Sequence, residues 1–376
     1  MVIGIDVRPL IGNNMSGVEI YTKELLLQLF QLYPKTTFIL YCNAAKKQNH
    51  LYQLFNQPNV KIVHTRLPNK LLNLSLSWFQ WPKIDKTIRK KTGLKVDTFF
   101  CPDLRLTPLS RNCKKIMVVH DLSYHHFPQY FSLRTRLWYK LLNPKKELQK
   151  SDHIIVVSNF TKQDLIKTYS LDPQKITTIY EGISDQFVVK TEQNITSKYN
   201  LPPKYFLFLA TIEPRKNIQN LLKAFSIFTQ KEDHHDIKLV LAGKTNPKIF
   251  AAVPQSQKKN IQFIGFVDEI DKPALYANAQ AFIYPSLFEG FGLPLLEAMK
   301  TRTPTITSNT SSMPEVVGDV AILIDPNKPE EIAEAMRQIL QPAVKKNLQE
   351  KMDHQIQKFS WEKCAKQTAK LLSLSE

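Results

Sequence analysis

The stretch that decides the fold lies between residues 286 and 299 and reads Ser-Leu-Phe-Glu-Gly-Phe-Gly-Leu-Pro-Leu-Leu-Glu-Ala-Met. The apolar residues just before it, Ala281–Tyr284, predict the end of a buried strand. Pro294 suits the first turn of a helix, where its missing N–H removes no hydrogen bond. Two glycines between strand and helix let the backbone approach a ligand closely. The stretch therefore predicts a strand, a tight loop and a helix in succession.

The same loop has the composition of a phosphate-binding site. The backbone N–H groups of Gly292 and Leu293 would stand at the helix N-terminus, where donors without intrahelical acceptors attract anions. Glu289 precedes both glycines of the loop, and Glu297 lies about one turn into the helix. A phosphate on the backbone donors and sugar hydroxyl groups on the two carboxylates would fit this order. The alternative, a plain crossover with two solvated glutamates, leaves the Gly-x-Gly-x-Pro order unexplained.

Length and composition indicate a protein of two globular domains. The 376 residues are 43% hydrophobic and 22% charged, which is ordinary for globular proteins, and each half is long enough to bury a core. The sequence shows no apolar run of the length that predicts a membrane-spanning helix. The N-terminus reads as a first strand and not as a signal peptide, and the four cysteines lack paired spacing. These features predict reduced thiols and a cytoplasmic protein.

The positive charge is concentrated in the first half of the chain. Residues 1–190 contain 28 Lys and Arg against 13 Asp and Glu, whereas residues 191–376 contain 23 against 20. This asymmetry suggests an anionic partner for the first half, such as a membrane surface, a polyanion or a phosphorylated acceptor. The alternative is a surface whose scattered lysines serve solubility.

Strands and helices alternate throughout the sequence, which predicts α/β architecture with parallel sheets covered by helices on both faces. We expect two doubly wound, Rossmann-like domains, residues 1–185 and 200–355, facing each other across a cleft lined by the carboxyl ends of the strands. Residues 356–376 are expected to supply a helix that packs back on the first domain. One long helix is predicted over Tyr130–Lys150.

Apolar and basic residues cluster between residues 66 and 91. Several leucines and two tryptophans lie within residues 71–82, and lysines and arginines flank them. This combination is typical of an interfacial helix or of a groove for a lipid acceptor. A helix that fills the core of the first domain explains the pattern equally well.

Five segments, spread over nearly the whole chain, are similar to the motifs of a known family. They are Ser16–Tyr21, Val119–Ser123, Ala210–Asn217, Glu289–Glu297 and Met313–Gly318. Together they resemble glycosyltransferase family 4, whose members have the two-domain GT-B fold. The Glu-Pro-Arg-Lys-Asn sequence of the third segment resembles a bacterial mannosyltransferase-like subgroup. Because likeness of fold alone does not establish function, the interpretation depends on the matched sites.

For the second domain, the resemblance implies a nucleotide-sugar donor site. Glu289 would hold hydroxyl groups of the transferred sugar as a catalytic residue, and Glu297 would bind the ribose. Arg215 and Lys216 would grip the diphosphate, since two cations offset the charge that grows on the leaving group. Many members have Gly-Arg where this chain has Ala210-Thr211 at the start of the segment, so Arg215 would take over that arginine's role. The donor would also contact the loop residues Gly290, Phe291, Gly292 and Leu293.

For the first domain, the resemblance implies three further site residues. Gly17 lies at a strand-to-helix turn, and in the family this loop closes over the sugar phosphate. His120 and Asp121 follow an apolar strand, Ile116–Val119, and match the family's His-Asp pattern. In the family the histidine touches the transferred sugar near the acceptor, so both residues are predicted to be catalytic.

The predicted function is a retaining hexosyl transfer without a metal or other cofactor. The chain has no Asp-x-Asp sequence, so protein donors would replace a metal on the diphosphate. The expected donor is GDP-mannose and the expected acceptor a glycan or lipid-linked sugar in cell-envelope polysaccharide synthesis, with the enzyme cytoplasmic or peripheral on the inner face of the membrane. The alternatives are a UDP-glucose or UDP-N-acetylglucosamine donor, or a basic protein without enzymatic activity that binds nucleic acid or membrane. No nucleic acid partner is expected, since no aromatic–basic recognition motif is present.

Overall fold

The computed structural model of the chain contains two compact units. The first consists of Met1–Gly182 and Ser360–Glu376, and the second of Ile183–Phe359. Each unit is built on its own parallel sheet, as predicted for doubly wound α/β domains. The residues that the structure describes are 1–12, 16–188, 195–230, 236–243 and 258–374.

The first unit has a seven-stranded sheet in the order β3-β2-β1-β4-β5-β6-β7. All neighbouring strands pair in parallel. Their residues are mostly apolar and buried on both faces, as helices on both sides of a parallel sheet require. The strands are β1 Val2–Asp6, β2 Thr37–Asn43, β3 Val60–Thr65, β4 Thr98–Cys101, β5 Lys114–Val119, β6 His153–Val156 and β7 Ile176–Thr178.

Helices connect these strands and cover the sheet. They are Gly17–Leu32, Asn49–Leu54, Asn69–Trp78, Ile84–Thr92, Ser123–His126, Leu133–Leu142, Pro144–Gln149 and Asn159–Tyr169, and the chain returns to this unit with Trp361–Leu371. That last helix packs against Gly17–Leu32, with the rings of Tyr21 and Trp361 5.9 Å apart. All four cysteines are buried free thiols, in agreement with the expectation from their spacing.

The second unit has a six-stranded parallel sheet in the order β10-β9-β8-β11-β12-β13. This order places β8 beside β11, although the two strands are far apart in sequence, and makes their junction the point where the winding direction reverses. Ligands of doubly wound sheets bind outside the carboxyl ends of the strands at such a point. The strands are β8 Tyr205–Leu209, β9 Lys238–Ala242, β10 Ile261–Gly265, β11 Ala281–Tyr284, β12 Thr305–Ser308 and β13 Ala321–Ile324.

The helices of the second unit follow its strands, as the alternating pattern predicts. The sequence predicts helices over Ile218–Gln230, Leu293–Lys300 and Pro329–Leu340, and the structure agrees to within two residues. Apolar periodicity marks these helices, and proline at the first turn marks the start of the last two. The helices of this unit are Ile195–Tyr199, Ile218–Thr229, Lys272–Ala277, Leu293–Lys300, Met313–Val317, Pro329–Gln338 and Pro342–Ile356.

The single long helix expected over Tyr130–Lys150 is wrong. The structure has two helices here, Leu133–Leu142 and Pro144–Gln149, and Asn143 between them adopts a left-handed conformation with φ of 48°. Pro144 cannot donate a backbone hydrogen bond, and it disfavours helical geometry in the residue before it. The apolar periodicity continues across this break, so it could not reveal the interruption.

A short strand, β7, was missed by sequence reasoning. Ile176–Thr178 contains one buried isoleucine followed by two half-buried threonines, which gives neither an apolar run nor a clear alternation. Its pairing with β6 defines it as a strand. Tertiary pairing decides short edge strands of this kind, since their local sequence signal is weak.

Candidate functional site

The Glu289–Glu297 loop lies at the carboxyl end of β11, beside β8. The helix that follows begins at Leu293, with Pro294 in its first turn, as predicted. Gly292 precedes it with a left-handed φ of 112°. A side chain there would be strained by that φ, and its Cβ would also lie only 3.1 Å from Leu295 Cδ1. The sequence therefore needs glycine at this position to turn the chain into the helix.

Glu289 is buried and accepts hydrogen bonds from three neighbouring side chains. Only 6% of the residue is exposed. Lys216 Nζ donates to Oε1 at 2.6 Å, and Tyr284 Oη donates to the same oxygen at 2.9 Å. Arg215 Nη1 donates to Oε2 at 2.8 Å. A glutamate in a glycine-containing loop is expected outside the core, and the structure corrects this expectation for Glu289, because the loop folds inward over the two cations.

The two cations come from the turn that follows β8. Pro214–Lys216 forms a 3₁₀ turn, and the backbone of Leu287 donates to the Arg215 carbonyl at 2.9 Å. Arg215 Nη1 also donates to the Phe288 carbonyl at 2.7 Å. The neighbouring strands β8 and β11 thus bring the Arg-Lys turn and the Glu289 loop into direct contact, a pairing that the sequence did not reveal.

Burial and charge pull the pKa of Glu289 in opposite directions. Burial alone would raise it, but the charges of Arg215 and Lys216 and the hydrogen bond from Lys216 hold the pKa at about 2. The carboxylate is therefore ionised at neutral pH. A second carboxylate, Glu213, accepts from Arg215 Nη2 at 2.7 Å and is partly exposed. The formal charges of these two cations and two carboxylates cancel.

The rest of the loop is fixed by a serine that sequence reasoning missed. Ser312 Oγ donates to the carbonyls of Glu289 at 3.0 Å and of Phe291 at 2.8 Å. Gly290, Phe291, Gly292 and Leu293 are all buried. The backbone of the predicted donor loop is therefore fixed by hydrogen bonds from Ser312. A site with preorganised backbone donors requires such a fixed loop. Ser312 immediately precedes the Met313–Gly318 segment, and that proximity was the only available signal.

Glu297 lies on the buried side of the helix Leu293–Lys300. It is 5% exposed, and its Oε2 accepts from Tyr276 Oη at 2.7 Å. Burial raises the pKa of Glu297, and the nearby Lys272 and the Tyr276 hydrogen bond offset part of that effect. Lys272 also pairs with Glu269, in the loop after β10. Neither Tyr276 nor Lys272 was singled out from the sequence.

In the first unit, Gly17 begins the helix Gly17–Leu32. A Cβ atom at Gly17 would meet nothing within 4 Å, so the local structure does not need glycine there. The Ser16 backbone N–H donates to the Glu19 carboxylate at 2.9 Å, so a negative group already stands at this helix end. Residues 13–15, the predicted sugar-phosphate loop before Gly17, lie outside the described residues.

His120 follows β5 and is engaged at both ring nitrogens. Its Nε2 lies 2.9 Å from the Pro102 carbonyl, and its Nδ1 lies 3.5 Å from Glu181 Oε1. The carbonyl can only accept, so Nε2 carries a proton, and Nδ1 faces the Glu181 carboxylate. Burial alone would lower the pKa of His120, but Glu181 outweighs burial and raises it. Sequence reasoning missed Glu181, since it lies 61 positions away.

Asp121 has a local structural role. Its Oδ1 accepts from the Ser123 backbone at 2.9 Å and from Ser123 Oγ at 2.7 Å. A short polar side chain that accepts from the N–H two positions on is a standard way to start a turn or helix. The two members of the predicted His-Asp pair therefore face different partners: Asp121 accepts from Ser123, the first residue of the short helix Ser123–His126, and His120 contacts Glu181.

The described ranges hold neither a cluster of metal ligands nor a helix that could span a membrane. No group of three or more His, Cys, Asp and Glu residues there has a geometry that could hold a metal ion. No helix in the same part of the chain is both long and apolar enough to cross a membrane.

Two family profiles match adjacent parts of the sequence. The family described as "Glycosyltransferase Family 4" matches residues 15–187, and the family described as "Glycosyl transferases group 1" matches residues 189–359. The two matches meet close to the boundary between the structural units. They contain all the candidate site residues described above.

Among curated proteins, the chain is similar to bacterial mannosyltransferases. It is 32% identical over 264 residues to an Escherichia coli protein named O-antigen chain mannosyltransferase B, covering 68% of this chain and 69% of that protein. It is also 32% identical over 232 residues to the Escherichia coli serotype-specific mannosyltransferase WbdA, covering 58% of this chain but only 28% of that protein.

Among solved structures, the chain is similar to sucrose-phosphate synthase from Thermosynechococcus elongatus. The TM-score is 0.78 at 20% sequence identity, covering 99% of this chain and 98% of that one. Identity this low supports the fold alone. The match extends over both parallel-sheet units and agrees with the expected GT-B fold class.

Proposed function

The chain belongs to glycosyltransferase family 4, and from this premise we propose that it transfers mannose from GDP-mannose, with retention of configuration, in cell-envelope polysaccharide synthesis. As a member of the family it is a hexosyltransferase. The alternative of a basic protein without enzymatic activity is therefore excluded. The observation that carries the donor proposal is the contact of Glu289 with Arg215 and Lys216 at the switch point of the second sheet. The relatives named as O-antigen mannosyltransferases favour mannose and an envelope glycan.

In the proposed donor complex, the diphosphate lies between the Arg-Lys turn and the N-terminus of the helix Leu293–Lys300. The backbone donors of Gly292 and Leu293 and the cations Arg215 and Lys216 offset its charge without a metal. Glu289, ionised and held from two sides, accepts hydroxyl groups of the sugar. Glu297 accepts the ribose hydroxyls. The first unit, with His120, is proposed to serve the acceptor, a glycan or a lipid-linked sugar.

The loop after β10 offers a physical basis for choosing the base. Glu269 is partly exposed and pairs with Lys272, whose pKa is raised in part by the nearby Glu297. Because both carboxylates lie near Lys272, we propose that a base attached to a ribose at Glu297 extends toward Glu269. A carboxylate can accept from both N–H groups on guanine's Watson–Crick edge, whereas uracil has one N–H between two carbonyls, which a carboxylate repels. Such a bidentate contact provides about 1–3 kcal/mol of discrimination. We therefore propose GDP over UDP.

A panel of nucleotide sugars tests the proposal directly. Thermal unfolding is measured with GDP-mannose, UDP-glucose and UDP-N-acetylglucosamine, since a bound donor raises the unfolding temperature by mass action. GDP-mannose should give the largest shift, and Glu269→Ala should reduce that shift while leaving any response to UDP unchanged. A larger shift with a UDP-sugar would replace the donor assignment.

Transfer and stereochemistry need a separate measurement. The protein is incubated with GDP-mannose and polyisoprenyl-linked acceptors, and NMR of the product reports the anomeric configuration. The mannose of GDP-mannose is α-linked, so a retaining transfer should give an α-linked mannose in the product. A β-linked product would overturn the retaining mechanism while leaving the donor assignment intact.

A further inference from the structure

The helix Asn69–Trp78 has two apolar sides. Leu72 and Leu76 are buried in the core of the first unit, whereas Leu74 and Trp78, one turn apart, are exposed. The chain then continues through Phe79 and Trp81. Trp78, Phe79 and Trp81 are exposed by 69%, 74% and 66%. The two interpretations of this segment, core and interface, therefore apply to different residues of the same helix.

A second exposed apolar face begins at the same place. Leu133 and Leu137 are exposed by 74% and 67% and lie one turn apart on the helix Leu133–Leu142. One further turn along that face is Leu141, whose carbonyl accepts from Ser77 Oγ at 3.2 Å. The leucine face therefore extends about 12 Å from the end of the first helix. We refer to the combined surface as the apolar corner; it consists of Leu74, Trp78, Phe79, Trp81, Leu133 and Leu137.

The two sequence segments that form the apolar corner carry charges of one sign. Residues 66–84 and 122–146, which contain its side chains, include no Asp or Glu. The arginines of the second helix, Arg134 and Arg136, are exposed, and so is Lys140. The basic residues of the two segments are Arg66, Lys70, Lys83, Arg134, Arg136, Lys140, Lys145 and Lys146.

We propose that the apolar corner docks on the surface of an anionic lipid bilayer. Tryptophan is enriched at the level of lipid headgroups, and leucine and phenylalanine side chains enter the acyl boundary below. Lysines and arginines beside them are attracted to anionic headgroups. A soluble monomer rarely exposes so many large apolar side chains together.

The charge pattern favours a bilayer over a second copy of this chain. In a symmetric dimer the same patch would meet itself, so two copies of these basic segments, which contain no Asp or Glu, would be juxtaposed. An anionic bilayer is complementary instead. The inference concerns the attachment of the enzyme to a membrane and not its choice of donor. Vesicle binding in the absence of nucleotide therefore tests it separately from the proposed function.

Co-sedimentation of the full chain with vesicles is the first test. Binding to phosphatidylcholine–phosphatidylglycerol vesicles should exceed binding to phosphatidylcholine vesicles and should weaken as salt screens the charges. The triple variant Trp78→Ser, Phe79→Ser, Trp81→Ser should reduce binding at least tenfold. The matched control is Phe266→Ser with Ile270→Ser, which removes apolar side chains of similar exposure in the second unit and should bind like wild type.

The charge contribution has its own pair of variants. Arg134→Gln, Arg136→Gln, Lys140→Gln should weaken binding to anionic vesicles and flatten its salt dependence. Lys346→Gln, Lys351→Gln, Lys366→Gln makes the same change in net charge at exposed positions elsewhere and should have little effect. Equal losses in both variants would indicate nonspecific attraction and overturn the assignment to the apolar corner.

Tryptophan fluorescence locates the contact. Of the four tryptophans, Trp78 and Trp81 are exposed, Trp138 is half-buried and Trp361 is buried. Brominated lipid should quench the wild type on binding. Trp78→Phe with Trp81→Phe should still bind, since the side chains remain apolar, but should lose most of the quenching. The proposal would be refuted if the variant bound vesicles and kept the quenching of the wild type. It would also be refuted if the protein did not bind vesicles and formed a dimer that depends on Trp78 in sedimentation.

Discussion

Lys216 Nζ lies 2.6 Å from Glu289 Oε1, and both side chains are largely buried. The ammonium also donates to Tyr284 Oη at 2.6 Å. One of the two cations predicted to bind a diphosphate is therefore bound to the carboxylate predicted to hold the sugar. Because each group neutralises the other in a poorly solvated place, a change at either position should alter both stability and catalysis.

Removing either cation should impair transfer. Lys216→Ala and Arg215→Ala are each expected to lower kcat/KM by about 2–4 kcal/mol of transition-state stabilisation, as for a lost charge-assisted donor. Glu213→Gln is the control, because it removes the partly exposed partner of Arg215 and leaves both cations in place. Steady-state kinetics with the preferred donor measures the effect. Wild-type kcat/KM in both alanine variants would contradict the diphosphate role.

Glu289→Gln should lower both kcat and stability. The amide keeps the size of the side chain but leaves Lys216 and Arg215 without their shared carboxylate, and breaking a buried pair costs about 3–5 kcal/mol. Enzyme assays and thermal unfolding of the same preparations separate the two effects. A variant with unchanged kcat and an unchanged unfolding temperature would show that the buried contact matters for neither.

Acid should remove the stabilisation that Glu289 provides. The pKa of Glu289 in the folded chain, about 2, lies below the ordinary value of 4.5, so its contribution is complete above pH 4.5 and is lost as the pH falls toward 2. The difference in unfolding temperature between wild type and Glu289→Gln should therefore shrink over this interval. A difference that stays constant with pH would mean that the carboxylate is not held ionised by its partners.

Glu297→Ala should act mainly on donor binding. Ribose hydroxyls are held equally in the ground and transition states, so the expected change is a raised donor KM with kcat little altered. The loss of donor binding free energy should be about 1.5–3 kcal/mol, as for hydrogen bonds to a charged group. Tyr276→Phe removes only the hydroxyl group that donates a hydrogen bond to Glu297. This variant should raise the donor KM by less than Glu297→Ala does. A fall in kcat with an unchanged KM would exclude the ribose role.

Glu181→Gln should lower the pKa of His120. Without the carboxylate, burial would dominate and disfavour the imidazolium. In wild type the raised pKa of His120 contributes stability that is complete below its ordinary value of 6.5 and is lost as the pH rises through the folded-state value. NMR titration of the His120 ring, assigned with His120→Asn, measures the shift. An unchanged titration would show that Glu181 does not raise the pKa of His120.

Transfer should not require a divalent cation. The expectation is based on the absence of an Asp-x-Asp sequence and on the two cations and backbone donors proposed for the diphosphate. Activity after treatment with EDTA should equal that of untreated enzyme. Complete loss that magnesium or manganese restores would refute the metal-independent mechanism.

The sequence by itself determined the elements around the donor loop. Ala281–Tyr284 and Leu293–Lys300 have the predicted bounds, because a short apolar run, glycine and proline act through local backbone geometry. The same local rules predicted the alternation of strands and helices and hence two parallel sheets. Apolar periodicity alone failed over Tyr130–Lys150, because it continues through the break that Asn143 and Pro144 make.

Only the tertiary structure decided which side chains contact each other and which are exposed to solvent. Lys216 and Glu289 are 73 positions apart, yet they touch because β8 and β11 are neighbours in the sheet. Glu181 and His120 come close because they follow β7 and β5, which lie on either side of β6 in one sheet. Trp78 is exposed while Leu76 is buried because the helix has a core on one side only. Strand order and burial depend on the packing of the whole unit, and no local stretch of sequence contains that information.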